Sequence, residues 1–244
     1  MYIRGYSMKT MVITGTTQGI GNALYKFYQD KYKIITINRR EFEGNNYICD
    51  LSEIQGIKKA AQKLSRVPVD IMINNAGGAE PKVFSELTAE ELIKCSNLNY
   101  HAPVLLMQAV LEGMRQRHSG RIVNVSSIAS KSPRALIPHY GAAKSALEKF
   151  SASMAVAYSD CGIAINCICP GGINTETSLK NRKKMANISG RDENYYNDMM
   201  ASGNGLGRMV DVHEVVELID FLISDKATAI SGQTYNICGI KEVH

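Results

Sequence analysis

The stretch Met11-Val12-Ile13-Thr14-Gly15-Thr16-Thr17-Gln18-Gly19-Ile20-Gly21 decides the fold. Its first four residues are a short apolar run that ends on a glycine, as a buried strand does. From Gly19 to about Lys31 the apolar residues Ile20, Ala23, Leu24 and Phe27 recur at helical spacing. A strand, a glycine turn and a helix therefore follow one another without a break. Glycines there let backbone N–H groups approach a pyrophosphate at the positive end of the helix. The spacing is Gly-x-x-x-Gly-x-Gly, and taken alone a tight turn would explain it.

The same rhythm continues outward. Ile34–Ile37, Tyr47–Cys49, Val69–Ile73, Arg121–Ser126, Ile163–Cys169 and Thr234–Cys238 read as further strands. Helical patterns run near Ser52–Leu64, from Thr88 behind the capping signal Thr88-Ala89-Glu90-Glu91, after Pro103, over Tyr140–Tyr158 and over Val212–Leu222. Such alternation predicts βαβ crossovers and a parallel sheet. We expect an α/β, single-domain, Rossmann-like doubly wound fold over residues 8–244, with about seven parallel strands and helices on both faces. Only residues 175–207 break the rhythm, being rich in Asn, Lys, Arg, Met and Gly. Long irregular insertions are usually lids or disordered, and this one reads as a mobile substrate flap.

Composition narrows the function classes. With 45% hydrophobic and 21% charged residues in 244, the chain has enough apolar side chain for a sizeable core. The formal charge of +5 is a mild excess, and its Lys and Arg residues are scattered rather than interleaved with aromatics, so no nucleic-acid groove is expected. Six cysteines form no Cys-x-x-Cys pair and read as small core residues of a protein kept in a reducing compartment. No apolar run is long enough to span a bilayer, and residues 1–9 lack an apolar signal core. A cytoplasmic protein is expected, with Met8 as its natural start.

Ser127, Tyr140 and Lys144 carry the chemistry. Tyr140 and Lys144 are four apart, so in a helix they share a face, while Ser127 lies at the carboxyl end of a strand, where open α/β sheets bind ligands. A free tyrosine, with pKa near ~10, is a poor acid or base at neutral pH. The Lys144 ammonium, helped by the charge of an oxidised nicotinamide, is expected to lower it. Ser127 can hydrogen-bond a substrate oxygen as charge develops there.

In this order the residues resemble the short-chain dehydrogenase/reductase family over nearly the whole chain, and within it 3-oxoacyl carrier-protein reductases. Residues 14–21 match the family's cofactor turn, Asn74-Asn75-Ala76-Gly77 its central-strand motif, Asn99, Ser127, Tyr140 and Lys144 its catalytic residues, and Pro170-Gly171-Gly172-Ile173-Asn174-Thr175 its nicotinamide loop. Ser231-Gly232-Gln233-Thr234 resembles the run before its last strand. The resemblance implies that Tyr140 exchanges a proton with the carbonyl oxygen, that Lys144 also holds the ribose hydroxyls, and that Asn99 holds a water in a proton relay. It further implies that Gly15, Gln18, Gly19, Ile20, Gly21, Asn75, Ala76, Gly77, Pro170, Gly171, Ile173 and Thr175 line the cofactor, with Asp50 and Leu51 at the adenine. No metal is implied.

Asn38-Arg39-Arg40 stands where an acidic residue would bind the ribose hydroxyl of NAD. Asn38 and Arg39 are expected there, and a guanidinium suits a 2′-phosphate, so NADP(H) is preferred over NAD(H). The substrate is expected to be a small or thioester-bound carbonyl; sugar, polyol and steroid dehydrogenases, or an NADP(H)-sensing module, are the alternatives. Lys131, Arg134, Lys180, Arg182, Lys183 and Lys184 read as a solvated basic surface, with receipt of an anionic substrate or a phosphorylated carrier arm as the alternative. The resemblance also implies a homodimer or homotetramer paired through the helices beginning near Asn99 and Tyr140.

Overall fold

The computed structural model describes residues 8–201 and 205–239; residues 202–204 of the expected flap and 240–244 of the expected domain lie outside the described residues. Seven strands, β1 (Thr10–Thr14), β2 (Lys33–Asn38), β3 (Asn45–Ile48), β4 (Ile71–Asn74), β5 (Gly120–Val125), β6 (Ile163–Pro170) and β7 (Thr234–Ile237), form one sheet in the order β3-β2-β1-β4-β5-β6-β7. Every pairing is parallel. The helices are α1 (Gly19–Tyr28), α2 (Ile54–Leu64), α3 (Ala89–Ser96), α4 (Ala102–Gln116), α5 (Pro138–Ala157), α6 (Glu176–Ser189), α7 (Glu193–Ala201) and α8 (Val212–Ile223).

Alternate residues of β1 belong to different layers. Val12 packs with Ile35, Met72, Ile122 and Ile165 against Ile57 of α2, Leu106 of α4 and Leu147 of α5. Met11 and Ile13 pack with Ile73, Val123 and Ile168 against Leu24 of α1 and Val215 and Ile219 of α8. A strand buried on both faces reads as a continuous apolar run, which is why β1, β4 and β6 were legible. The chain winds outward from β1 to β3, returns to β4 on the other side of β1, and winds outward again to β7. That reversal leaves a crevice beyond the carboxyl ends of β1 and β4.

Local chemistry sets the helix ends. The expected capping box closes α3: Thr88 accepts from the Glu91 N–H while Glu91 reaches back to the Thr88 N–H. α5 starts at Pro138, ahead of the expected Tyr140, because proline's missing N–H costs nothing in a first helical turn. Between α3 and α4 the helix widens into a π turn over Asn97–His101, with the Ala102 N–H bonded to the Asn97 carbonyl. Pro103 has no N–H to offer the Asn99 carbonyl one turn back, so the ladder must adjust there.

Residues 175–207 are not the irregular stretch expected of them, because α6 and α7 occupy most of it. Thr175 caps α6 by accepting from the Ser178 N–H, and Gly190 ends it at φ +66° in the left-handed region. In α6 the buried residues are Arg182 and Ala186, too narrow a stripe for hydrophobic periodicity to reveal.

Candidate active site

The glycine turn is built by side chains from three strand ends. Thr14 Oγ1 accepts from the N–H groups of Asn75 at 3.0 Å and Ala76 at 2.8 Å, and Asn75 Nδ2 donates to the Thr14 and Gly15 carbonyls at 2.9 Å each. Asn38 Oδ1 accepts from the Thr16 N–H at 2.8 Å, and its Nδ2 donates to Thr16 Oγ1 at 2.9 Å. A Cβ on Gly21 would collide with the Gly15 carbonyl, so α1 can start this close to the turn only with glycine there. Unlike α3 and α8, which begin with capping boxes, α1 has no side-chain cap and no acidic residue in its first turn. Its leading N–H groups and dipole are therefore available to an anion, which is the fit a dinucleotide's pyrophosphate requires.

The other residues expected at a cofactor fall into two groups. Gln18 donates to Thr177 Oγ1 at 2.5 Å, Ile20 is half-buried at the head of α1, and Thr175 caps α6, so these stand beside the turn. Pro170 ends β6, Gly171 donates to the Ile237 carbonyl at 2.9 Å, and Ile173 is buried and bridges to Val210. Three residues are turned to structural work: Asn38 is buried in the turn's framework, Leu51 is core, and Asp50 Oδ1 accepts from the Ser52 N–H at 2.9 Å and hydroxyl at 2.7 Å. Arg39 and Arg40 lie exposed just beyond β2.

The residues expected to carry chemistry come together. A Cβ built on Gly77 would stand 2.9 Å from both Asn99 Oδ1 and Lys144 Nζ, so the main chain after β4 passes directly over those two side chains. Asn99 Oδ1 accepts from the Gly78 N–H at 2.9 Å, and its Nδ2 donates to the Gly78 and Cys95 carbonyls at 2.9 Å each. The π turn sets that aim. Lys144, 2% exposed, donates to the Val125 carbonyl at 2.7 Å, and its Nζ lies 5.8 Å from the centre of the Tyr140 ring.

Electrostatically the pair departs from expectation. Burial pushes the Tyr140 phenol up to about 12, against a smaller opposing pull from Ser127. Burial pushes the Lys144 ammonium down to about 8. The chain's own groups thus do not supply the expected lowering of Tyr140, because desolvation outweighs the Ser127 hydrogen bond and the Lys144 ammonium is turned toward a backbone carbonyl.

Beneath them lies a network the sequence did not announce. Glu148, one turn after Lys144, accepts from Ser126 Oγ at 2.5 Å and Cys169 Sγ at 3.0 Å and pairs with Lys131 Nζ at 2.9 Å. Burial alone would raise the carboxyl, but the hydrogen bonds from Ser126, Ser130 and Cys169 and the Lys131 ammonium hold it below its ordinary value. Its signal in the sequence was the four-residue spacing from Lys144. Asn124 Nδ2 donates to Ser151 Oγ at 2.8 Å and its Oδ1 accepts from Asn74 at 2.8 Å, joining β4, β5 and α5.

The basic residues do not form the uniform solvated surface expected. Lys131 is committed to Glu148, Lys184 pairs with Glu80 at 2.6 Å, and Arg182 is buried. Burial of so long a cation inside a run of charged neighbours has no hydrophobic periodicity to announce it. Asn181 donates to the Ala79 carbonyl at 3.2 Å, so α6 lies across the chain that follows β4 and roofs the crevice. Among the described residues no His, Cys, Asp and Glu group suited to a metal occurs, and no helix is long and apolar enough to cross a membrane.

Known proteins share this fold. The chain is 28% identical to an acetoacetyl-CoA reductase of Shinella zoogloeoides, over 95% of this chain and 97% of that one. Among solved structures it resembles an actinorhodin polyketide ketoreductase with NADPH at 25% identity and TM-score 0.87, covering 97% of this chain and 98% of that one. It also resembles a 4-hydroxyisoleucine dehydrogenase complexed with NADH at 26% identity and TM-score 0.83, covering 96% and 98% of the two chains. The family profile for short chain dehydrogenases matches residues 9–186, and the chain is a nicotinamide-dependent oxidoreductase that belongs to the short-chain dehydrogenase/reductase family.

Proposed function

We propose that the protein is an NADP(H)-dependent ketoreductase that reversibly converts a ketone, a 3-oxoacyl thioester or a related carbonyl, to a secondary alcohol. The meeting of Asn99 and Lys144 at Gly77, with Tyr140 beside Lys144 and hydrogen-bonded to Ser127, carries this reading. A nicotinamide held at the glycine turn would supply or accept the hydride. Ser127 holds the carbonyl oxygen, and Tyr140 gives its phenolic proton to that oxygen as negative charge develops. A phenol is a far stronger acid than the alcohol it creates, so in reduction the proton moves toward the stronger base. Oxidation runs the same transfer backward with Tyr140 as base. Lys144 holds the ribose hydroxyls, and Asn99 positions a water that refills the proton.

The exposed guanidinia of Arg39 and Arg40 beyond β2 favour a 2′-phosphate; the likeness to an NADH-bound dehydrogenase keeps NAD(H) as the second reading. The helix α6, which lies across the chain after β4, serves as the cover of the substrate. Self-association through α4 and α5 is supported by the exposed Val156 on α5 and by Leu92 and Ile93 on the adjoining α3. Six free cysteines fit a reducing, cytoplasmic setting.

The test is loss of NADPH absorbance, with NADH in parallel, over 3-oxoacyl thioesters, keto sugars and cyclic ketones. Tyr140→Phe, which keeps the ring and removes the proton, is expected to lower kcat by roughly 10²- to 10⁴-fold without loss of NADPH binding. Equal turnover by the variant would sink the mechanism, and tight NADPH binding with no turnover of any ketone would favour a sensor.

A further inference from the structure

The roof helix α6 carries four basic side chains, and one of them is placed unlike the rest. Lys180 and Lys183 are exposed and Lys184 pairs with Glu80. Arg182 is only 3% exposed. Its Nη1 donates to Ser178 Oγ at 2.8 Å and its Nη2 to Asn174 Oδ1 at 3.1 Å, and Nη1 also lies 4.0 Å from Met200 Sδ and 3.9 Å from Met209 Sδ. Its Nε is buried with no acceptor. Each of these partners is neutral, and among the described residues no carboxylate pairs with the guanidinium.

An arginine cannot shed its proton to escape this position. A buried charge with neutral partners only, and one N–H with none, carries a desolvation cost that the described residues do not offset. The position of the charge says where the offset comes from. Helical side chains lean toward the helix N-terminus, so the guanidinium lies beside the first turn of α6, against Asn174 of the chain that leaves β6. The N-terminus of α6 in turn abuts the glycine turn, where Gln18 meets Thr177 at 2.5 Å and a Cβ on Gly19 would stand 3.3 Å from Thr175. The fixed cation thus lies at the end of α6 that borders the glycine turn and its crevice.

We propose that Arg182 is a receptor for an oxyanion, a carboxylate or a phosphate, carried by the ligand that enters beneath α6. Resting on the ketoreductase reading, this makes the substrate an anionic ketone whose charged group binds the roof while its carbonyl meets Tyr140 on the floor. The guanidinium is a planar donor fork suited to such a group, and its Nε–H is the donor left without an acceptor. The cofactor's own phosphates offer the same chemistry from a second source.

The experiment is equilibrium binding to the full chain, read by thermal shift and isothermal titration, with wild type, Arg182→Met and Arg182→Lys. The probes are NADPH alone, then inorganic phosphate and succinate titrated onto protein already saturated with NADPH. If the anion belongs to the substrate, the second set stabilises wild type and binds Arg182→Met about tenfold to a hundredfold more weakly, with Arg182→Lys between and NADPH affinity unchanged. If the anion is the cofactor's phosphate, the same loss appears for NADPH. Probes that leave wild type unshifted, together with equal NADPH affinity in all three proteins, would overturn the receptor. Arg182→Met removes an uncompensated charge at similar length, and the wild-type titration decides the matter should that variant not fold. None of these readings needs turnover, so they hold in a Tyr140→Phe background and fail separately from the ketoreductase reading.

Discussion

Glu148 on α5 and Arg182 on α6 are both buried charges beside the chain around the end of β6, and the protein handles them in opposite ways. Glu148 receives hydrogen bonds from Ser126 and Cys169 and an ion pair from Lys131. Arg182 receives only neutral oxygens and thioethers, and one N–H none. The floor of the crevice is complete within the chain, so its charge holds Ser126 and the following Ser127 in place. The roof, among the described residues, is left incomplete. Satisfied buried networks rigidify a site, whereas unsatisfied ones carry a cost until something binds.

Breaking the floor gives the largest expected loss of stability. Glu148→Ala leaves Lys131, Ser126 and Cys169 without their shared acceptor and is expected to cost about 3 kcal/mol, read from urea unfolding at pH 7. Glu148→Gln sharpens the point through pH. Because the carboxyl is held below its ordinary 4.5, it stabilises the fold above that pH, and the contribution is lost as pH falls through the lowered value. The Gln variant should therefore show a flatter decline in stability below pH 4.5 than wild type; an unchanged acid limb would mean that the pair is ornamental.

A smaller loss tests whether the glycine turn belongs to the complete half. Thr14→Val keeps shape but strands the N–H groups of Asn75 and Ala76, for an expected cost of about 2 kcal/mol and weaker NADPH binding. A neutral substitution would place the turn's order elsewhere.

Lys144 is the intermediate case, a buried ammonium with one carbonyl acceptor. Its pKa in the folded chain, about 8, lies below its ordinary 10.5, so the unfolded chain binds the proton more tightly and burial costs stability at and below pH 8. That cost disappears as pH rises from 8 to 10.5. Lys144→Met should gain about 1–2 kcal/mol at pH 7 after allowance for the lost hydrogen bond, with the gain fading toward pH 10.5 and turnover abolished. A variant less stable than wild type at pH 7 would contradict this.

The floor was far more legible in sequence than the roof, for physical reasons. The turn from Thr14 to Gly21 and the order Ser127, Tyr140, Lys144 are local or helical spacings, which a one-dimensional string records. The capping box at Thr88 and Glu91 is likewise local. What brings Asn99 and Lys144 to within one carbon's reach of Gly77 is a crossing of β4, a π turn and α5, and no spacing encodes it. α6 was hidden because its buried face is an arginine and an alanine; its visible marks were only Thr175 and Gly190 at its ends. The bracing of Thr16 by the Asn38 amide joins two strand ends and is likewise recorded by no local spacing.

The strand order bears on how the protein is made. Once β4 has joined β1, each later strand adds to the growing edge in the order in which the ribosome delivers it, and none has to insert between two already paired. The last to arrive is β7, which binds the Gly171 N–H through the Ile237 carbonyl and sets Cys238 against Gly171. The loop after β6 therefore gains its backing only when the final strand emerges, and a nascent chain lacking those residues would present a finished glycine turn opposite a loop not yet held.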